Sequence, residues 1–293
     1  MTITTAIALA ALTGTAVASV PLDGANFDAD YGAAIWSQNV GTQFGNNSDG
    51  SADFANGSEL DALYAKIEGG VLYLGVAGNV ETNFNKLNIV LDFKAGGQNT
   101  LNGLPNLGNL NGLTLDSGFE ADAVLSYTAG NDPVDVFIDG ALADGTGGFL
   151  GQGTAAGTSV TLGGAAVNFA HNNSNTGGVA NLGEAFTSDP ALVTTGVELS
   201  IDLAALGYVN GSEILIAGWI NGSDNNFLSN QVIGGLPDGT GNLGGDGAGG
   251  FIGDLSGVDF NQFAGDQFVS FIPAPSSIAL VGFAGLAAAR RRR

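Results

Sequence analysis

The sequence predicts an all-β protein, an antiparallel β-sandwich of jelly-roll type, and three observations support this prediction. Several segments alternate apolar and polar residues with a period of two, as half-buried strands do. Asn-Gly occurs five times and Asp-Gly six times, and these dipeptides supply the positive φ that tight turns require. No long helical period appears in the central region. A parallel β-helix is the rival fold, but it needs a fixed repeat period and the sequence has none.

Three segments show the alternation, and their apolar residues are expected on one inner face. These residues are Leu87, Ile89, Leu91 and Phe93; Val134, Val136 and Ile138; and Val197, Leu199, Ile201 and Leu203. Glu198, Ser200 and Asp202 alternate with the last set and are expected to face outward, as are Asp135 and Asp139 beside the second.

Other segments are expected to form central strands, a turn and a loop. Residues 71–76 and 214–220 are almost entirely apolar, which is typical of strands covered on both faces. Residues 203–206 are the best helical turn and end at Gly207. The glycine-rich segment 244–254 does not have the aspartate spacing of calcium-binding repeats, so it is predicted to be a loop.

The charge distribution divides the chain into three parts. Residues 23–266 contain all 28 acidic residues against three basic ones, Lys66, Lys86 and Lys94, a formal charge of −25. A surface this acidic argues against direct nucleic-acid binding, because neutralising phosphates needs lysine and arginine. There is no cysteine and hence no disulfide framework. The predicted parts are a signal peptide over 1–18, a sandwich domain over 19–272 and a sorting signal over 273–293.

The N-terminal segment is predicted to direct export. Residues 3–18 are short and apolar and end in Ala16-Val17-Ala18, a small-x-small pattern that a signal peptidase accepts. No lysine or arginine precedes the apolar stretch. A buried N-terminal helix is the alternative interpretation.

The C-terminal segment is predicted to hold the exported chain briefly in the membrane. Residues 278–289 are apolar but shorter than the roughly 20 residues of a helical span. The basic residues that follow are expected on the cytoplasmic side. The layout resembles the PEP-CTERM sorting signal of bacteria, with alanine in place of the usual glutamate. The matching residues are Pro273, Ala274, Pro275, Arg290, Arg291, Arg292 and Arg293. The resemblance implies cleavage by an exosortase, a membrane-embedded cysteine protease; a permanent weak anchor is the alternative.

The central region also shows a resemblance. Residues 58–76 look like the opening hairpin of sandwiches related to family 9 carbohydrate-binding modules and DOMON domains. Residues 197–206, Gly207 and 214–220 look like their strand, turn and strand. Segments 83–89, 95–101 and 112–122 resemble a group of uncharacterised PEP-CTERM proteins. These resemblances imply a fold and no particular ligand.

The sequence offers few residues for catalysis. His171 is the single histidine and lies in a segment expected to be a solvated loop. Haem ligation would need histidine or methionine, and the chain has no internal methionine. With 28 acidic residues, carboxylate pairs arise by chance, so they do not indicate a glycosidase without a cleft. No enzymatic activity is predicted; a hydrolase is the third interpretation.

Two binding sites are candidates. In residues 47–53 side-chain oxygens alternate around a turn, which suits a hard cation such as Ca²⁺, at Asn47, Asp49, Ser51 and Asp53. A solvated loop without a cation is the alternative interpretation. Trp36 and Trp219 are the two indoles that a sugar clamp would use, although core packing is the expected role of both. No other cofactor is predicted.

Together these observations predict an exported, non-enzymatic protein of the cell surface or extracellular matrix, with a transient inner-membrane intermediate. A carbohydrate-binding module with a defined sugar site is the alternative. The acidic domain would repel an acidic exopolysaccharide, so one interpretation is that divalent cations bound at residues 47–53, Glu198 and Asp202 bridge the two. The alternative is that the acidic residues only keep the protein soluble.

Overall fold

A computed structural model describes residues 20–44, 57–131, 134–180 and 188–273. They form one short helix, α1 (Phe27–Tyr31), and strands arranged in two antiparallel sheets. The strands are β1 (Trp36–Ser37), β2 (Glu59–Glu68), β3 (Val71–Asn79), β4 (Asn83–Asp92), β5 (Ala123–Gly130), β6 (Asp135–Leu142), β7 (Gly147–Thr154), β8 (Thr158–Leu162), β9 (Ala165–His171), β10 (Gly196–Asp202), β11 (Ile214–Asn221), β12 (Leu228–Val232) and β13 (Val269–Phe271). Four 3₁₀ turns are Gly108–Leu110, Pro190–Leu192, Ala204–Leu206 and Phe260–Gln262.

The first sheet has the strand order β1-β2-β3-β10-β9-β8. Strands β2 and β3 form the hairpin expected from residues 58–76, and Gly69 and Gly70 connect them with positive φ angles of 61° and 88°. Both glycines therefore adopt the left-handed backbone that a two-residue hairpin turn requires.

The second sheet has the order β12-β11-β4-β5-β6-β7, and β13 also pairs with β11. Strand β10 leads through the 3₁₀ turn Ala204–Leu206 into β11, so the chain crosses from one sheet to the other there. Gly207 ends the turn with φ 93°, which confirms the predicted stop.

The sandwich core lies between the two sheets and confirms the predicted inner faces. Leu87, Ile89 and Leu91 of β4 pack in one buried cluster with Val197, Leu199 and Ile201 of β10. Side chains alternate along each strand, so every second residue of both strands points to this core.

Each sheet is also covered on its outer face. A second apolar cluster joins Val90, Val124 and Trp219 of the second sheet to the loops 94–122 and 233–260. A smaller one packs Phe27 of α1 on Ala62 and Ala77 of the first sheet. This double cover explains why 71–76 and 214–220 are apolar on both faces.

The remaining local expectations concern helices and the glycine-rich loop. In the described residues α1 is the longest helix, with five residues, and no helix is long and apolar enough to cross a membrane. Residues 244–254 form a loop, as predicted, in which Asp246 accepts hydrogen bonds from the backbone N–H groups of Ala248 and Gly250.

Candidate functional site

The two tryptophans do not form a sugar clamp. Trp36 lies in β1 and packs against the core between the sheets. Trp219 is fully buried on the outer side of the second sheet, where its ring lies edge-on to Phe260 at a centroid distance of 5.7 Å. Odd-numbered residues of β11 point away from the inter-sheet core, so the two indoles belong to different layers. The clamp is therefore wrong, whereas the expected packing role of both residues is confirmed.

Most of the other predicted site residues lie outside the described part of the chain. This applies to the signal peptide 1–18, to the apolar helix 278–289, to the candidate calcium ligands Asn47, Asp49, Ser51 and Asp53, and to Ala274, Pro275 and Arg290–Arg293 of the sorting motif. Pro273 is the last described residue and is buried.

Glu198 differs from its prediction. It points away from the inter-sheet core, as expected, but its side chain is fully buried. Its Oε2 accepts hydrogen bonds of 2.6 Å from the backbone N–H groups of Asp23 and Gly24, and Oε1 accepts one of 2.9 Å from the Tyr31 hydroxyl. Burial raises the pKa of Glu198. The carboxylate thus holds the N-terminal segment on the first sheet. Both of its oxygens are engaged there, so Glu198 is not the outward cation ligand that was expected.

His171 also differs from its prediction. It is the last residue of β9, and only 7% of its surface is exposed. Its ring lies edge-on to that of Tyr127 at a centroid distance of 5.4 Å. Burial lowers the pKa of His171 to about 4. The solvated-loop interpretation is wrong because His171 still belongs to β9, where its ring packs against Tyr127.

The polar residues of the second sheet converge on one part of its outer face, which we call the polar half. Strand alternation places its members on this face, and cross-strand pairing sets them in two neighbouring rows. The first row is Asn88, Ser126 and Asp139, and the second is Asn221, Lys86, Thr128 and Phe137. The apolar row of Val90, Val124, Ala141 and Ala217, covered by loops, lies on the other side of the first row.

Lys86 is the cation of the polar half. Its Nζ donates a hydrogen bond of 2.8 Å to Oγ1 of Thr128. Burial lowers the pKa of Lys86, and the carboxylates of Asp139 and Asp224 act in the opposite direction. Asp139 in turn accepts a hydrogen bond of 3.2 Å from the Asn106 side chain. An ammonium group offers three N–H donors, so Lys86 keeps donor capacity beyond Thr128.

The amide of Asn88 lacks hydrogen-bond partners within the described residues. Asn88 is fully buried, and neither Nδ2 nor Oδ1 is bonded. Nε1 of Trp219, Nδ2 of Asn221 and Oδ1 of Asn225 are likewise unpaired within this part of the structure. Unpaired buried polar groups cost about 1–3 kcal/mol each. Several such atoms lie together beside Lys86, so the polar half lowers the free energy of unfolding of the protein.

Two phenylalanine rings lie at the open end of the polar half. Phe84 is 40% exposed and has a φ of 72° at the irregularity in the β4–β5 pairing. Positive φ is an outlier for a bulky residue, and such strain concentrates at functional sites. The ring lies over Gly130, where a Cβ would be 2.3 Å from it, and its centroid is 6.3 Å from that of Phe137.

The first sheet carries a separate groove of about 430 Å³ between α1 and residues 190–195. Tyr64 in its wall is hydrogen-bonded to Asp28; burial first, and then this carboxylate, raises the pKa of Tyr64 to about 12. In this groove the Tyr64 hydroxyl and the Asp28 carboxylate are therefore engaged with each other.

No family of known proteins, no curated protein and no solved structure matches this chain. Within the described ranges, no three His, Cys, Asp or Glu side chains form a group that could hold a metal ion.

Part of the polar half is recognisable in the sequence. Lys86 and Asn88 alternate with Leu87 and Ile89, and Lys86 is one of only three lysines among 28 acidic residues. The partners Thr128, Phe137 and Asp139 come from other strands, and their proximity depends on strand order and register. Neither could be read from the sequence.

Proposed function

We propose that this protein is exported and acts at the cell surface or in an extracellular matrix, where it binds a ligand through the polar half without catalysing a reaction. The observation that carries the binding role is the set of unpaired buried atoms around Asn88, beside an ammonium group and two accessible aromatic rings. Folded domains are stable by only about 5–15 kcal/mol. Several unpaired buried polar atoms in one place therefore favour a role for these atoms beyond folding.

Export is supported by the two ends of the chain. Residues 1–18 have the features of a secretory signal peptide, and 273–293 resemble a PEP-CTERM sorting signal with a short apolar helix. The proposed route uses a signal peptidase, a membrane-held intermediate and an exosortase-type protease. The mature protein then consists of the sandwich domain alone.

The export proposal is tested by fractionating host cells and measuring the intact mass of the protein. We expect it at the cell surface or outside the cell, with a mass that lacks residues 1–18 and Arg290–Arg293. A surface form that retains the four arginines would contradict cleavage, and a form that stays in the cytoplasm would contradict export.

The calcium bridge to an acidic exopolysaccharide remains a separate proposal. It rests on Asn47, Asp49, Ser51 and Asp53, since Glu198 is engaged in the fold. A pull-down with the native polysaccharide, with and without EGTA, tests it. Binding that EGTA leaves unchanged would contradict it, and calcium-dependent binding that survives Asp49→Ala with Asp53→Ala would remove these residues from the bridge.

A further inference from the structure

Building on the proposed binding function, we infer that the ligand of the polar half is a neutral saccharide. One sugar ring would lie on Phe84 and Phe137, and its hydroxyl groups would reach Lys86 and Asp139; the buried Thr128 hydroxyl holds the Lys86 ammonium group in place.

The mixture of donors and acceptors identifies the chemical class. Lys86 offers only donors and the Asp139 carboxylate only acceptors, while the Thr128 hydroxyl is buried and bonded to Lys86. A carboxylate or phosphate ligand needs donors throughout, and an ammonium ligand needs acceptors throughout. A hydroxyl group donates and accepts at once, so a polyol can satisfy Lys86 and Asp139 together.

The local charge excludes a polyanion as the direct ligand. Lys86 lies within the electrostatic influence of two carboxylates, those of Asp139 and Asp224, so the three groups carry a net charge of −1 when ionised. Residues 23–266 as a whole carry −25. A negatively charged polymer would meet repulsion on approach, over roughly 8–10 Å at physiological salt, whereas a neutral saccharide would not.

The aromatic rings supply the apolar part of the site. A pyranose ring has faces of C–H groups between its polar edges, and an exposed aromatic ring covers such a face without competing for its hydroxyls. Phe84 and Phe137 form a tilted pair with an interplanar angle of 37°, next to Lys86 and Thr128 on the same outer face. Phe149, 55% exposed, lies opposite Asp139 in the register and extends the apolar border.

The Asn88 row lies beside the Lys86–Thr128 row on the same face and is assigned a positioning role. Asn88 is directly opposite Ser126 in the pairing of β4 with β5, and Asn225 Nδ2 donates to Ser126 Oγ across 3.5 Å. These groups border the Lys86–Thr128 pair on the same face and keep a polar surrounding for the ammonium group.

The test titrates the purified full chain with cellohexaose, laminarihexaose and mannohexaose in the presence of EGTA, using calorimetry. We expect at least one of the three to bind, and Phe84→Ala, Phe137→Ala and Lys86→Met each to weaken that binding at least tenfold. Leu192→Ala, an exposed apolar truncation beside the first sheet, is the control and should leave binding unchanged. Melting temperatures verify that every variant is folded.

The positioning role has a readout of its own. Asn88→Leu removes the unpaired amide at similar volume, so it should keep or raise the melting temperature while weakening binding. A strictly structural asparagine would instead lower the melting temperature when replaced.

The assignment would be overturned if none of the three oligosaccharides bound, or if binding survived the Phe84, Phe137 and Lys86 substitutions. It would also be overturned if only polygalacturonate with millimolar calcium bound. Fractionation decides the export proposal independently: an exported protein that binds no neutral saccharide would disprove this inference alone.

Discussion

His171 and Asp61 are two buried titratable residues whose environments shift their pKa values in opposite directions. His171 lies against Tyr127 at the end of β9, and burial lowers its pKa to about 4. Asp61 is fully buried in β2, neither carboxyl oxygen has a partner in the described chain, and burial and the Asp189 charge raise its pKa well above the usual range. Each therefore makes the free energy of unfolding depend on pH, with opposite sign.

His171 is predicted to destabilise the protein on acidification. The unfolded chain binds a proton near pH 6.5 and the folded chain only near pH 4, so the stability that His171 contributes is complete above 6.5. It is lost as the pH falls through that window, up to about 3 kcal/mol. Urea unfolding at pH 7.5 and 4.5 should show a smaller decrease for His171→Phe than for the wild type. Tyr127→Phe is the control and should retain the wild-type decrease; equal decreases in all three proteins would contradict the assignment.

Asp61 is predicted to have the opposite effect. Because its folded pKa is raised, its favourable contribution is complete below the unfolded pKa near 3.9 and is lost as the pH rises through the folded value. Asp61→Asn should therefore be more stable than the wild type at pH 7.5, and the advantage should shrink towards pH 4.5. The exposed Asp238→Asn is the matched control. A variant less stable than the wild type at pH 7.5 would show that the Asp61 charge has an undescribed partner.

At the scale of elements, strands β4 and β5 determine both the core and the polar half. Their even and odd residues serve opposite faces, so the alternation that predicted Leu87, Ile89 and Leu91 in the core also places Lys86 and Asn88 outside it. The irregularity between Asn83 and Lys86 then turns Phe84 over Gly130.

Gly130→Ala is predicted to impair ligand binding without unfolding the protein. Its Cβ would lie 2.3 Å from the Phe84 ring, which is partly exposed and can move aside. The variant should bind the saccharide at least several-fold more weakly, with a melting temperature within a few degrees of the wild type. Gly108→Ala is the control, since its nearest neighbour would be Asn111 Nδ2 at 4.0 Å. Unchanged affinity in Gly130→Ala would mean that the Phe84 ring position is unimportant.

Strand positions and inner faces were predictable because they depend on local alternation, as in residues 86–94 and 197–203. The hairpin at Gly69-Gly70 was predictable because its turn chemistry is local too. The pairing of strands into sheets was not predictable from local sequence. Strand β4 lies between β11 and β5, and β11 begins 122 residues after β4 ends. The burial of Glu198 was not predictable for the same reason, because the segment that covers it, residues 23–31, lies far away in sequence.

At the scale of the whole molecule, many aspartate side chains accept hydrogen bonds from backbone N–H groups that no helix or sheet pairs. Asp122 accepts from the N–H groups of Phe93 and Lys94, and similar bonds fix loops elsewhere. Further acceptors of backbone N–H groups are Asp92, Asp116, Asp144, Asp189, Asp202, Asp246, Asp254 and Asp259. The acidic composition thus has a structural role as well as a solubilising one.

The remaining net charge is predicted to make the protein more stable at higher ionic strength. With −25 on residues 23–266, mutual repulsion opposes the compact state, and salt screens it. Raising NaCl from 10 to 500 mM at pH 7.5 should increase the melting temperature by several degrees. Tetramethylammonium chloride should act similarly, because screening needs no specific cation. A rise produced only by Ca²⁺ would indicate site binding and not screening.

The central claim is that the polar half is the functional surface, and nuclear magnetic resonance tests it most directly. The measurement follows backbone amide shifts of the isotope-labelled protein during titration with the tightest-binding neutral hexasaccharide. We predict that the largest shifts occur in β4 from Phe84 to Asn88, in β5 from Ser126 to Gly130 and in β6 from Asp135 to Asp139. Largest shifts in residues 25–29 and 190–195, around the groove of the first sheet, would contradict the claim.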